Sequence, residues 1–159
     1  MMQKIYLTSS PEETERIGER ISDFLTKNYP DGALIAMRGE MGVGKTAFTR
    51  GFCRPLGITG VRSPTYTLAN AYRAPEHTVY HFDMYRIESE EDLFSIGFED
   101  YLRERGAYLL LEWSERVIDY LPTERFELEI LRTDDAMGRK ILFTLPDTNK
   151  EDDYEALSL

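Results

Sequence analysis

Apolar positions along this chain change period repeatedly, between the short unbroken runs of buried strands and the three-to-four spacing of helices. Lys4–Leu7 predicts a short strand. Ser10-Pro11-Glu12-Glu13 then supplies an N-cap, a proline in the first helical turn and a capping-box glutamate, so a helix is predicted over Pro11–Lys27. Within it Ile17, Ile21, Phe24 and Leu25 keep helical spacing and read as a core-facing stripe. Ala33–Met37 is an unbroken apolar run, the pattern of a parallel strand covered on both faces, and Ala47–Leu56 suits a helix.

Farther along, Leu68–Arg73 and Val79–Tyr85 predict strands joined by the turn-forming Ala74-Pro75-Glu76-His77, hence an antiparallel pair. Glu90–Ile96 and Phe98–Arg105 read as helices separated by Gly97, followed by the apolar strand Ala107–Leu111. Phe126–Leu131 and Lys140–Leu145 flank the polar stretch Thr133–Gly138 as a hairpin. The order predicts an α/β fold of three layers, with a mainly parallel central sheet and antiparallel additions.

Length and charge narrow the picture. At 159 residues and 42% hydrophobic, the chain suits one domain with a substantial core. That domain is expected over residues 1–145, with 146–159 as an acidic, mobile tail of few apolar anchors. A net charge of −10 repels a phosphate backbone and disfavours direct, tight nucleic-acid binding. Cys53 is the only cysteine, which excludes an internal disulfide and, with only His77 and His81, leaves too few ligands for a zinc cluster. It reads as a small buried apolar residue. No signal-like segment or membrane-length apolar run is seen, so a soluble cytoplasmic protein without membrane contact is expected.

The chemistry is concentrated after the strand Ala33–Met37. Gly39-Glu40-Met41-Gly42-Val43-Gly44-Lys45-Thr46 fits G-x-x-x-x-G-K-[ST], in which glycines let backbone N–H groups close around a phosphate. ATP with Mg²⁺ is the expected ligand pair. Lys45 is expected to reach the β- and γ-phosphates, Thr46 to bind Mg²⁺, and Ala47 to offer a backbone N–H at the helix start. Mg²⁺ also needs carboxylates from the protein side. Glu112 at the end of Leu109-Leu110-Leu111 and Asp83 in Tyr80–Arg86 both sit at strand ends; Glu112 is the expected metal-side carboxylate, directly or through water, and Asp83 is expected to orient Mg²⁺-bound or attacking water, with exchange of the two roles as the alternative. Ser63, Thr65 and Thr67, around Pro64, predict a hydroxyl-rich loop able to sense the γ-phosphate, with a plain Ser-Pro turn as the competing reading. Arg62, Arg73 and Arg86 are candidates for neutralising transition-state charge, against a role as surface ion-pair partners. Trp113 reads equally as a wall of the site or as core.

With these pieces placed, the chain resembles the bacterial TsaE (YjeE) family, the small ATPase of the machinery that makes threonylcarbamoyladenosine in tRNA. The residues carrying the resemblance are Gly39–Thr46, Ser63-Pro64-Thr65-Tyr66-Thr67-Leu68, His81-Phe82-Asp83-Met84-Tyr85-Arg86, Ile96–Tyr101 and Leu111-Glu112-Trp113-Ser114-Glu115. The resemblance implies a P-loop ATPase fold, weak ATP hydrolysis and assembly with TsaB and TsaD. In that family TsaD, helped by TsaB, modifies the tRNA, which this chain would meet only indirectly, and TsaE supports repeated turnover. It also implies adenine-side contacts at Thr8-Ser9-Ser10 and Arg139. One departure is Ala47, where the family often has threonine; the loss of that hydroxyl is expected to cost about 1 kcal/mol of nucleotide affinity.

Three rivals follow from the same residues. Asn149-Lys150-Glu151-Asp152 matches the N-K-x-D of guanine-specific GTPases, but Asp83 is followed three positions later by Arg86 rather than glycine. A small-molecule kinase would need an acceptor pocket and a lid, for which Glu88–Ile96 is the available segment. A nucleotide-switched binding module without useful catalysis is the strongest alternative.

Overall fold

A computed structural model describes residues 2–65, 67–147 and 155–157. Its strands are β1 (Met2–Thr8), β2 (Gly32–Arg38), β3 (Ala69–Arg73), β4 (Thr78–Asp83), β5 (Ala107–Glu112), β6 (Phe126–Arg132) and β7 (Arg139–Leu145). The α-helices are α1 (Pro11–Asn28), α2 (Lys45–Cys53), α3 (Glu90–Ser95) and α4 (Phe98–Arg103). All described strands form one sheet in the order β1-β7-β6-β2-β5-β4-β3. The middle four, β6-β2-β5-β4, run parallel, while β1, β7 and β3 are antiparallel to their neighbours. The expected α/β architecture is what the chain adopts.

Alternation along β2 and β5 divides the core between the two faces. Ile35, Met37, Tyr108 and Leu110 join the cluster under α1 and α2, whereas Leu34, Ala36, Leu109 and Leu111 join the one that includes Leu93 and Phe98 from α3 and α4. Both strands read as continuous apolar runs because each face is covered. In α1, Ser10 caps the N-terminus by accepting from Glu13 N–H, with Pro11 in the first turn, so the helix begins where the capping signal predicts.

Helix α2 is held against α1 at unusually short range. A Cβ at Gly51 would collide with the Glu15 carbonyl, and one at Gly18 with the Phe48 carbonyl. Arg54 then bridges Glu15 at 2.9 Å and Glu19 at 2.7 Å on the outer rim. The helix is shorter than the expected Ala47–Leu56 at its far end because Pro55 cannot donate to the i−4 carbonyl, and Arg54–Leu56 continues as a 3-10 turn. Cys53 is fully buried in α2, as expected, and burial pushes its thiol up to about 12.

Three further expectations need correction, the first being that helix α4 ends at Arg103 rather than Arg105. Strand β4 ends at Asp83 rather than Tyr85, because Asp83 Oδ1 accepts from Tyr85 N–H at 3.0 Å and turns the chain out of the sheet. The acidic tail is not loose at residues 155–157: Leu157 is fully buried in the core, and its carbonyl accepts from Tyr6 Oη at 2.8 Å. Asn149–Asp152, the N-K-x-D stretch, lies outside the described residues, as does Tyr66. Among the described residues no helix is long and apolar enough to cross a membrane.

Candidate functional site

The parallel strands β2, β5 and β4 all finish on one edge of the sheet, and ligands of open α/β sheets bind outside that edge. From β2 the chain passes through Gly39–Gly44 and enters α2 at Lys45. Gly42 at φ 75° and Gly44 at φ 125° take backbone conformations that L side chains rarely adopt, and so bend the loop around its own amides. The first N–H groups of an α-helix lack helical acceptors, and the residues that open α2, Lys45, Thr46 and Ala47, line the cleft at this end of the sheet.

A cleft of about 800 Å³ opens here. Its walls carry Glu40, Met41, Gly42, Gly44, Lys45, Thr46 and Ala47 from the loop and helix, with Ser63, Thr65, Asp83 and Glu112 across from them. Asp83 and Glu112 are register partners on β4 and β5, so the strand ends present two carboxylates side by side. Both are buried, at 8% and 6% exposure.

Lys45 is buried in the middle of this group. Its Nζ donates to the Gly39 carbonyl at 2.6 Å, stands 3.8 Å from Glu112 Oε1 and lies 4.9 Å from the centre of the Trp113 ring. Glu112 Oε2 is 2.5 Å from His81 Nε2. A carboxylate can only accept, so Nε2 is the donor of this pair. His81 Nδ1 has no hydrogen-bond partner among the described residues. The imidazole is thus committed to holding Glu112, a role that the sequence reading missed although the motif contains the residue.

Across the cleft, Ser63 Oγ and Thr65 Oγ1 share a hydrogen bond of 2.7 Å. Thr67 is turned away and donates to Asn70 Oδ1 at 2.7 Å. The loop ends at Leu68, a non-glycine residue at φ 67°, whose carbonyl accepts from Asp83 N–H at 2.8 Å. Trp113, at φ 57°, is part-exposed and packs against Tyr85 with ring centres 5.1 Å apart. It walls the cleft together with Tyr85 and Arg86.

Of the three candidate arginines, Arg86 lines the cleft; Arg62 and Arg73 do not. Arg50 does line it and was overlooked, although its position four residues after Thr46 puts it on the same helical face. Arg139 lies behind the phosphate loop instead of in the cleft, and its Nε donates to the Val43 carbonyl at 2.7 Å. The neighbouring trio is occupied structurally: Thr8 bonds Thr14, Ser9 bonds Glu13 and Ser10 caps α1.

Among the oxygen donors lining the cleft, the Thr46 hydroxyl at the start of α2 and the adjacent strand-end carboxylates Asp83 and Glu112 are the set suited to a metal ion. These are hard oxygen ligands, too few for a complete protein cage, and they fit Mg²⁺, which takes its remaining positions from phosphate and water.

The comparisons with known proteins agree with one another. A profile described as threonylcarbamoyl adenosine biosynthesis protein TsaE matches residues 8–141. The tRNA threonylcarbamoyladenosine biosynthesis protein TsaE of Bacillus subtilis is 37% identical over 145 residues, covering 91% of this chain and 87% of that one. The protein of the same name from Haemophilus influenzae is 35% identical over 129 residues, 80% of this chain and 81% of its own. The crystal structure of Bacillus subtilis YdiB superposes with a TM-score of 0.78 at 30% identity, covering 98% of this chain and 94% of that chain. The chain belongs to the TsaE family of threonylcarbamoyl adenosine biosynthesis proteins.

Proposed function

We propose that this protein binds ATP with Mg²⁺, hydrolyses it slowly, and by doing so serves the formation of threonylcarbamoyladenosine in tRNA. The observation that carries the ATP reading is the single cleft in which a phosphate loop faces two adjacent strand-end carboxylates. The biological task is supported by membership of the family. Its partners are TsaB and TsaD, its contact with tRNA is indirect, its contribution is to let the complex turn over repeatedly, and its place of work is the cytoplasm.

In this reading the loop amides and Lys45 bind the phosphates, and Lys45 exchanges the Gly39 carbonyl for a phosphate oxygen when nucleotide enters. Thr46, Glu112 and Asp83 are the groups that would hold Mg²⁺, which when bound neutralises charge on the β- and γ-phosphates. Glu112 keeps its orientation through His81. One Asp83 oxygen is used by Tyr85 N–H, leaving the other to orient the attacking water. That water adds to the γ-phosphorus as the bond to the bridging oxygen breaks, the electron pair leaves on ADP, and the water proton passes to an oxygen of the phosphate product.

A nucleotide-switched module with negligible turnover is the second reading, favoured by the Leu68–Asp83 bond that ties the hydroxyl loop to the acid. One experiment separates the two. tRNA modification is reconstituted with TsaB, TsaD, the threonylcarbamoyl-adenylate synthase and ATP, with and without this protein, and followed by mass spectrometry. With threonylcarbamoyl-adenylate supplied preformed in place of the synthase, multiple turnovers that require the protein and fail with a non-hydrolysable analogue support the ATPase reading, whereas full support from the analogue favours the switch. Undiminished turnover in its absence refutes the task.

A further inference from the structure

The phosphate loop is gripped from behind by two arginines of the β6–β7 hairpin. A loop that aims its N–H groups inward at a phosphate must aim its carbonyls outward, and each outward carbonyl needs a donor. Gly39 O receives Lys45 Nζ, Glu40 O receives Val43 N–H, and Gly44 O receives Phe48 N–H. Met41 and Val43 carbonyls are served from outside the loop, by Arg132 Nη2 at 3.3 Å and Arg139 Nε at 2.7 Å. Arg132 Nε also meets Glu40 Oε2 at 3.3 Å. Arg139 Nη1 donates to the Ala136 and Gly138 carbonyls at 3.1 and 2.7 Å, so one guanidinium joins the hairpin turn to the loop.

Arg132 and Arg139 are direct register partners across β6 and β7. Like charges placed opposite each other on an antiparallel ladder repel, and local strand stability gives no reason to put two arginines there. Their common target does. Gly39 adds to the fit: a Cβ there would meet the Ile130 carbonyl of β6 at 2.9 Å, so the loop lies directly on this strand.

We propose that Arg132 and Arg139 are positioning residues for nucleotide binding, which hold the phosphate loop in its anion-ready shape before ligand arrives. The inference rests on the ATP reading, and it gives Arg139 a task different from adenine contact. A loop already folded loses less conformational freedom on binding, so the benefit appears for any polyphosphate, with or without a base.

The test titrates wild type, Arg132→Met, Arg139→Met and Arg139→Lys with ADP and with inorganic tripolyphosphate, and measures hydrogen exchange of amides 40–46 without ligand. Thermal unfolding checks that each variant is folded. Arg139→Met is expected to weaken both ligands by the same factor, about tenfold, as for one charge-assisted hydrogen bond, and Arg132→Met by about threefold. The loop amides should exchange faster in both. Arg139→Lys keeps the charge but cannot span Val43 and the hairpin turn together, so it should recover only part of the loss. Loss of ADP affinity with tripolyphosphate binding intact overturns the proposal in favour of a base contact. Full recovery by lysine overturns it in favour of charge alone, and unchanged affinities with unchanged exchange overturn it outright. If Arg139→Met does not fold, Arg132→Met and Arg139→Lys decide. A wild type that binds neither ligand refutes the nucleotide reading itself.

Discussion

Removing the ammonium of Lys45 should unsettle the empty protein as well as its ligand binding, because Glu112 depends on it. The two side chains are only 6% and 8% exposed and their charged atoms are 3.8 Å apart. At that separation the Coulomb attraction is about 1 kcal/mol if screened as in water and about 4 kcal/mol at an effective dielectric of 20. The cleft is open to solvent, so a coupling near 2 kcal/mol is expected. Lys45→Met keeps most of the aliphatic stem and leaves Glu112 with His81 as its remaining partner, at a cost of about 3 kcal/mol for a buried charge stripped of its counter-ion. For a chain of this size that corresponds to a fall in Tm of roughly 6–12 °C. Glu112→Gln removes the charge that needs compensation, so the double variant should be more stable than the sum of the single losses predicts. Urea unfolding of the four proteins without nucleotide measures the cycle. With a tightly bound ATP analogue the coupling should shrink, since the ammonium then faces phosphate. Additive losses within about 0.5 kcal/mol in the empty protein would refute the electrostatic reasoning.

Asp83→Asn keeps the oxygen that accepts from Tyr85 N–H, so the turn should survive while steady-state hydrolysis falls roughly 100-fold and ATP affinity, read by calorimetry, stays within about threefold. Leu157→Ala should cost about 2–3 kcal/mol in chemical unfolding, because a fully buried side chain is lost, yet leave any preference for ATP over GTP in a competition assay unchanged. Cys53 should resist thiol reagents at pH 8 until the protein is unfolded. Burial raises its folded-state value from 9.0 to about 12, so its stability contribution is complete below pH 9 and declines as pH rises toward 12, at about 1.4 kcal/mol per unit. Unfolding followed across that range with Cys53→Ala as the reference checks the sign.

The phosphate loop and the carboxylates were legible because their signals are local. Spacing alone identifies Gly39–Thr46, and an acid closing an apolar run such as Leu109–Leu111 must emerge at a strand end. Register was needed for what lay farther apart. That Asp83 and Glu112 stand side by side follows from β4 pairing with β5, which no spacing in the chain encodes. Arg132 looks like an unremarkable hairpin residue, and Arg139 is marked only by the family resemblance and for a different task, until the β6–β7 pairing sets the two opposite each other behind the loop. Helical periodicity could have found Arg50, whereas the hydroxyls around Pro64 point different ways for a reason visible only in three dimensions: Thr67 is captured by Asn70. The tail was misjudged at residues 155–157 because average composition hides a single buried leucine.

Trp113 carries a practical consequence. It is the one tryptophan of the chain, and its ring lies beside the Lys45 ammonium and the Tyr85 ring at the mouth of the cleft. Indole emission responds to nearby ammonium groups and to solvent, so all tryptophan fluorescence from this protein originates at the mouth of this cleft. On the proposed function, arrival and departure of nucleotide and Mg²⁺ would therefore register in a stopped-flow instrument without any label. When the protein is mixed with partners that lack tryptophan, the same light separates events in its cleft from those elsewhere in the assembly.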